Sequence, residues 1–286
     1  MNEAMHAEVR IGEYGRLQVN FFQDMLRELG SEINTDTLIL DFGCGKGGIV
    51  YHLRKQGFKA FGVDIVKDYE NVQKRCEEEG LVEADEDAFR LIDMSNYKIP
   101  FDDNTFDVII SDQVFEHVQN YPEALAEIKR VLKPGGSSLH IIPSRYRLIE
   151  GHLFIPLGGI FQGHRYLALC ALLGIRNSFQ QGQSWKEVAD FNFEYLKNST
   201  TYFTRSKIRR LFTAEFGNVS FVEPVFIKCH FGRVRRYLYP ISRKIPFVSS
   251  VFCTLHSRVV FSKKEDIGSA TNAAKLPTEA RSKRGR

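Results

Sequence analysis

The sequence predicts an α/β fold wound on both faces of a parallel sheet, and three observations carry that reading. Short apolar runs ending in a carboxylate alternate with stretches of helical periodicity from residue 37 to about residue 143. The first run, Leu38-Ile39-Leu40-Asp41-Phe42, enters a turn with glycine at every second position, Gly43-Cys44-Gly45-Lys46-Gly47. Ile49, Val50 and Leu53 then open a helical apolar stripe, so the turn reads as a strand-to-helix elbow. A chain of 286 residues suits one such domain with an insertion.

Each element follows from its local pattern. Leu17, Phe21, Met25, Leu26 and Leu29 sit at helical spacing over 13–30, and Gly30 ends the run. Strands are predicted near 37–42, 59–64, 88–92, 106–112 and 137–143. After Pro143 the alternation stops, and 144–203 holds glycines, histidines, many aromatics and the single Trp185. Thr204 to Phe212 reads as the next crossover helix, capped by Thr204 or Ser206. Val219–Phe226 and Ser257–Phe261 read as the last two strands. The expected organisation is a helical cover over 1–35, a ligand-binding core over 36–145, an insertion over 146–203, the rest of the fold over 204–263 and a disordered tail over 264–286.

The elbow and the carboxylates that follow it form a ligand-binding series. Glycine lets the turn take positive φ and lets a ligand lie against bare backbone, as nucleotide-like cofactors do at helix N-termini. Gly43, Gly45 and Gly48 fit the dinucleotide spacing G-x-G-x-x-G, while Asp41, Gly43, Gly45 and Gly47 fit D-x-G-x-G-x-G. Asp41 separates the two: a carboxylate at the strand end repels a pyrophosphate and attracts a cation. Asp64 ends the next strand where ribose hydroxyls bind in such folds, a feature common to both readings. Asp93 after the third strand suits an adenine amino group, and Met94 suits its ring. Any one of these carboxylates is also an ordinary cap of a turn; three in order after a glycine elbow are more than that.

Two downstream blocks are more specific. One runs from Pro100 through Phe106-Asp107-Val108-Ile109-Ile110-Ser111-Asp112-Gln113 to Glu116-His117-Val118, and the other is Ala124 to Gly136, ending Arg130-Val131-Leu132-Lys133-Pro134-Gly135-Gly136. Over about 36–145 the chain resembles the class I S-adenosylmethionine (SAM) methyltransferases of small molecules, including the ubiquinone-pathway enzymes. The resemblance implies a Rossmann-like seven-stranded sheet, mostly parallel with one antiparallel strand, and a mainly helical insertion after strand five that covers the acceptor. It implies SAM as cofactor. Asp41, Gly43, Cys44, Gly45 and Gly47 would hold its methionine part, Asp64 with Ile65 the ribose, and Asp93 with Met94 the adenine. Ser111, Asp112 and Gln113 would approach the sulfonium through backbone carbonyls. A metal-dependent subset of the family binds a divalent ion through Glu-x-x-Glu-His; Gln113 stands at the first position here, and no metal is expected.

Methyl transfer to oxygen needs a positioned acceptor and a base. His152, in Glu150-Gly151-His152-Leu153 after strand five, is the first candidate, and His117 the second; His164 is weaker. Each is also readable as a hydrogen-bonded structural histidine. Arg145, Tyr146 and Arg147 suit an anionic acceptor or the sheet rim. The expected reaction is methyl transfer from SAM to a small molecule, most simply at oxygen. A nucleic-acid or protein methyltransferase and a non-catalytic SAM-binding module are the alternatives.

Composition narrows the setting. Cys44, Cys76, Cys170, Cys229 and Cys253 are odd in number and lack metal spacing, as expected of a reducing, cytoplasmic compartment. The net charge of +4 equals that of 263–286, with seven basic and three acidic residues, so the remaining body is near neutral overall, against a broad nucleic-acid footprint. Met1–His6 is too polar for a signal peptide, and Tyr166–Ile175 and Ile245–Leu255 are too short to span a bilayer. The basic, aromatic stretch 228–248 reads first as a solvated helix with aromatics reaching the core, and second as a peripheral contact with anionic lipid.

Overall fold

The computed structural model describes residues 10–83, 86–94, 97–245 and 247–266. Met1–His6 and the tail beyond residue 266 lie outside them. Seven strands form one sheet: β1 (Leu38–Phe42), β2 (Lys59–Asp64), β3 (Phe89–Leu91), β4 (Phe106–Asp112), β5 (Leu132–Pro143), β6 (Val219–Phe221) and β7 (Ser257–Lys263). Their order is β3-β2-β1-β4-β5-β7-β6. β1 to β5 run parallel, and β7 is antiparallel to both β5 and β6.

One face is covered by α1 (Gly15–Glu28), α2 (Gly48–Lys55), α3 (Glu70–Glu78) and the later helix α8 (Glu223–Cys229). Val19, Phe22 and Met25 pack there with Val50, Val72 and Phe226. The opposite face is covered by α4 (Tyr121–Val131) and α7 (Arg205–Phe216), whose Leu125, Ile128, Ile208 and Phe212 meet Leu40, Phe42 and Ile109. The central strands are therefore buried on both faces and mostly apolar. Between β5 and α7 lie α5 (His164–Leu172) and α6 (Trp185–Ser199), packed on each other over a small core of Leu153, Ile155, Leu167 and Leu196. This is the expected helical insertion.

Arg54 welds α2 to the sheet. Its Nε donates to Ala60 O at 2.7 Å, and its Nη atoms reach Leu81 O and both oxygens of Glu86 at 2.8–3.0 Å. Arg54→Met keeps the apolar stem but orphans these acceptors. It is expected to destabilise the fold by about 2–3 kcal/mol, read as a lower urea midpoint.

Three boundaries differ from expectation. The strand foreseen over Val219–Phe226 stops at Phe221, and α8 begins at Glu223-Pro224. Pro224 suits a first helical turn, and buried Glu223 reaches Arg205 at 3.2 Å and Arg258 at 3.7 Å. A short apolar run such as Val225-Phe226-Ile227 does not by itself separate strand from helix. β5 starts at Leu132 because Leu132 pairs with Phe106 ahead of a register shift. The tail does not begin at Lys264, whose ammonium donates to Asn104 Oδ1, Lys129 O and Leu132 O at 2.7–2.8 Å. Thr204 is the cap of α7, accepting from Lys207 N–H at 3.3 Å.

Candidate active site

The sheet order reverses between β1 and β4, where ligands bind beyond the carboxyl ends of such strands. A cavity of about 770 Å³ opens there, within the range that holds small molecules and cofactors. Its floor is the elbow, with Asp41, Gly43, Cys44 and Gly45; Asp112 and Gln113 at the end of β4 form a second wall. Tyr14 and Gln18 close one side, while Arg147 and His152 approach from beyond β5.

The elbow needs its glycines for two reasons. Gly43 and Gly47 have φ of 78° and 79°, and a Cβ at either would meet Val114 at 2.4 Å or Phe89 at 2.5 Å. Gly45 differs: it takes φ of 51° but faces open space on the cavity side. Its N–H donates to Asp64 Oδ2 at 2.7 Å, and Asp64 Oδ1 accepts from Ile65 N–H at 2.7 Å. Asp64 thus ties β2 to the elbow.

The cavity wall is acidic, and its Asp41 is buried. Burial, with the Asp112 and Asp64 carboxylates nearby, pushes the Asp41 carboxyl up to about 8. Burial also lifts Asp112 to about 6, against a 2.8 Å hydrogen bond from Gln18 Nε2. Such a wall favours a cationic ligand and opposes a pyrophosphate. The open backbone at Gly45, the cavity volume and this charge together fit SAM, whose sulfonium and ammonium are cationic. Burial beside Asp41 and Asp64 holds the Cys44 thiol well above its ordinary range, so it is an inert filler.

The expected cofactor residues divide. Asp41, Gly43, Cys44, Gly45, Asp112 and Gln113 line the cavity. Gly47 does not; it packs beneath, toward Phe89. Ser111 is fully buried, with its hydroxyl 2.8 Å from His140 Nδ1, so only its backbone belongs to this edge. Ile65 and Met94 are about half exposed on a ledge past β2 and β3 with Asp93, outside the cavity. Gln113 takes φ of 56°, an uncommon left-handed conformation at the cavity rim, and its Oε1 accepts from Arg147 Nη1 at 3.2 Å.

His152 is held over the cavity by a pinned turn. Glu150 is buried; its carboxylate accepts from the N–H groups of His152 and Leu153 at 2.7–3.1 Å and from Tyr202 OH at 2.6 Å. The carbonyl of His152 accepts from Asn177 Nδ2, Asn177 is boxed with Gln180, and Gln180 Nε2 reaches Asn192 of α6 at 2.7 Å. The insertion therefore positions His152.

His152 Nε2 lies 3.8 Å from Glu116 Oε1 and 4.0 Å from Glu150 Oε1. Glu116 is 1 % exposed, and neither of its oxygens has a hydrogen-bond partner among the described residues. Its carboxylate raises the His152 pKa above the ordinary value, against burial. The His117 ring sits 4.7 Å from that of His152, and its Nδ1 donates to Ser199 O at 2.8 Å, leaving Nε2 as a lone-pair donor 4.0 Å from Glu116. Glu116, His117 and His152 bring one ligand atom each within 4.8 Å of one another, a set able to hold a cation; the sequence pointed to Glu116-His117, with no metal expected, but gave no sign that His152 joins them.

The other candidates lie elsewhere. His164 pairs with Asp190 at 2.6 Å on the exposed insertion. Arg145 and Tyr146 do not line the cavity; Arg147 does. Tyr14 and Gln18 were missed, since no local pattern marks a residue that reaches the cavity across the fold, and Lys46, inside the elbow, also lines the cavity.

Residues 40–139 match the family model described as a methyltransferase domain. Residues 40–139 thus form a methyltransferase domain. The chain is 35% identical over 147 residues to MJ0638, an uncharacterized protein of Methanocaldococcus jannaschii, covering 49% of this chain and 59% of that protein. It is 31% identical over 106 residues to the sterol 4-C-methyltransferase strm-1 of Caenorhabditis elegans, covering 37% and 30%. The chain thus spans less than two thirds of either relative. Among solved structures, geranyl diphosphate methyltransferase with GPP and sinefungin is 18% identical at a TM-score of 0.49, over 86% of this chain and 77% of that one.

Proposed function

We propose that this protein is an enzyme that transfers a methyl group from SAM to a small molecule, at an oxygen atom, with His152 as the base. The observation that carries the reading is His152 at one cavity with Asp41 and the glycine elbow, flanked by buried Glu116 and Glu150. SAM, when bound, supplies an electrophilic methyl group and a stable leaving thioether. Asp41 and Asp112 balance its positive charge, and the elbow backbone from Gly43 to Gly45 orients it. His152 Nε2 accepts the proton of the acceptor hydroxyl, and Glu116 and Glu150 stabilise the imidazolium that forms. Holding the acceptor in line supplies the rest of the rate.

The relative named as a sterol methyltransferase works at carbon, so the oxygen assignment rests on the base. The test is incubation of the full chain with methyl-labelled SAM and a panel of hydroxyl, amine and carbon acceptors, plus calorimetry with SAM and NADH. Label in a hydroxyl product and heat with SAM alone support the reading. Uptake of NADH without any heat from SAM overturns it.

Glu116's unpartnered oxygens favour a second reading, in which Glu116, His117 and His152 hold a divalent cation. Such an ion would act as a Lewis acid on the acceptor oxygen. Activity lost on dialysis against EDTA and restored by Mg²⁺ or Zn²⁺ selects this reading; activity indifferent to EDTA selects the free base.

A further inference from the structure

The segment from Pro224 to Lys264 contains nine Lys or Arg residues and no Asp or Glu. In a chain of otherwise mixed charge this is a one-signed stretch. It folds as α8, a helical turn over Val234–Leu238, α9 (Tyr239–Lys244) and α10 (Phe247–Leu255), ahead of β7. Some of its cations are committed: Lys228 pairs with Glu28, and Lys264 is capped by carbonyls. Arg233, Arg236, Arg243 and Lys244 are exposed and have no carboxylate partner among the described residues.

Phe226, Ile227, Val259 and Val260 of this segment are buried, but other apolar side chains of it face outward. α10 has no charged residue; it buries Cys253 and Ser249 and exposes Phe247, Val251 and Leu255 at four-residue spacing. Phe247 is 67% exposed and Val251 50%. Tyr237, Ile241 and Ile245 repeat that spacing, with Tyr237 59% exposed. A solvated helix shows the reverse pattern. Exposed apolar rows rimmed by unpaired cations are the signature of an interfacial helix.

We infer that this face docks on a bilayer surface containing anionic phospholipid, with Phe247, Val251 and Tyr237 entering the headgroup region. Charge selects this occupant. A second copy would set four cations against four, and a nucleic acid would leave the apolar rows in water. The position suits delivery of a substrate: Ser257, which follows α10, pairs with Pro143 at the carboxyl end of β5, the edge on which the cavity opens. Phe231 touches Tyr14 of the cavity wall, ring to ring at 6.1 Å.

The test uses the full chain in vesicle sedimentation, independent of methyl transfer. Vesicles of phosphatidylcholine alone are compared with vesicles holding about 30 mol % phosphatidylglycerol, at about 0.15 M salt. Binding at least about tenfold stronger to the anionic vesicles is expected, falling about tenfold in Phe247→Ser/Val251→Ser and in Arg236→Glu/Arg243→Glu. Each double variant must keep wild-type SAM binding and far-UV circular dichroism, which excludes misfolding as the cause. The inference is overturned by any of three results: no sedimentation with anionic vesicles, binding that ignores both double variants and vanishes only on removal of 267–286, or a dimer in light scattering that the apolar variant dissolves.

Discussion

Replacing His152 with alanine is expected to cut turnover at least about 100-fold while SAM affinity holds, the usual size of a general-base effect. The imidazole sits beside the cavity and not in the elbow, so its loss leaves the cofactor wall intact. Partial recovery with added imidazole separates a base from a structural side chain. The pH profile gives a second readout. Glu116 keeps the His152 pKa above 6.5, and only the neutral ring accepts a proton, so turnover should fall about tenfold per pH unit below that raised value and level off above it. Glu116→Gln removes the nearest charge and should move this acid limb to lower pH without abolishing turnover. Near-normal turnover in His152→Ala, or an unmoved limb in Glu116→Gln, would remove the assignment.

Asp41→Asn is expected to weaken SAM binding about 50- to 100-fold and, at the same time, to raise the melting temperature of the free protein. Both effects come from one buried carboxyl. Its folded-state pKa of about 8 lies above its ordinary 3.8, so the folded protein holds the proton more tightly than the unfolded chain. The stability this gives below 3.8 is lost as the pH rises through that window and reaches its minimum above about 8. Asparagine removes the penalty, worth at least about 1 kcal/mol near neutral pH and about 2–4 °C in a chain of this size. SAM offsets the same penalty in the native protein by pairing with the ionised form, so its binding should release a proton and tighten as the pH rises toward 8. Calorimetry in buffers of different ionisation enthalpy reads that proton directly. A destabilised Asn variant with unchanged affinity would refute the argument.

The elbow and the strands were legible because their signals are local. Asp41 to Gly47 names its own conformation: positive φ and close packing leave little choice but glycine at positions 43 and 47. Strands buried on both faces read as apolar runs, and each ended within a few residues of its expected limit apart from the early start of β5 and the early end of β6. Asp64 ends β2, as its run indicated, but nothing in its neighbourhood indicated that it would hold Gly45 N–H. Val225-Phe226-Ile227 was misread because three apolar residues fit a strand and a helix equally.

What escaped the sequence is what depends on distance along the chain. Gln18 reaches Asp112 across 94 positions. Glu116 and His152 meet only because Glu150 folds a turn back on itself and Asn177 pins the His152 carbonyl from the insertion. The outward rows of α9 and α10 could not be told from inward ones until the side that meets the core was known.

The sequence by itself determined the winding of the sheet, the backbone at the elbow and the carboxylates at the strand ends, because φ/ψ preference and side-chain periodicity act within a few residues. Only the tertiary structure decided which of those carboxylates share one cavity, which histidine stands over it and which apolar side chains stay in solvent. Burial and Coulomb coupling depend on separation in space, and the chain order does not contain it.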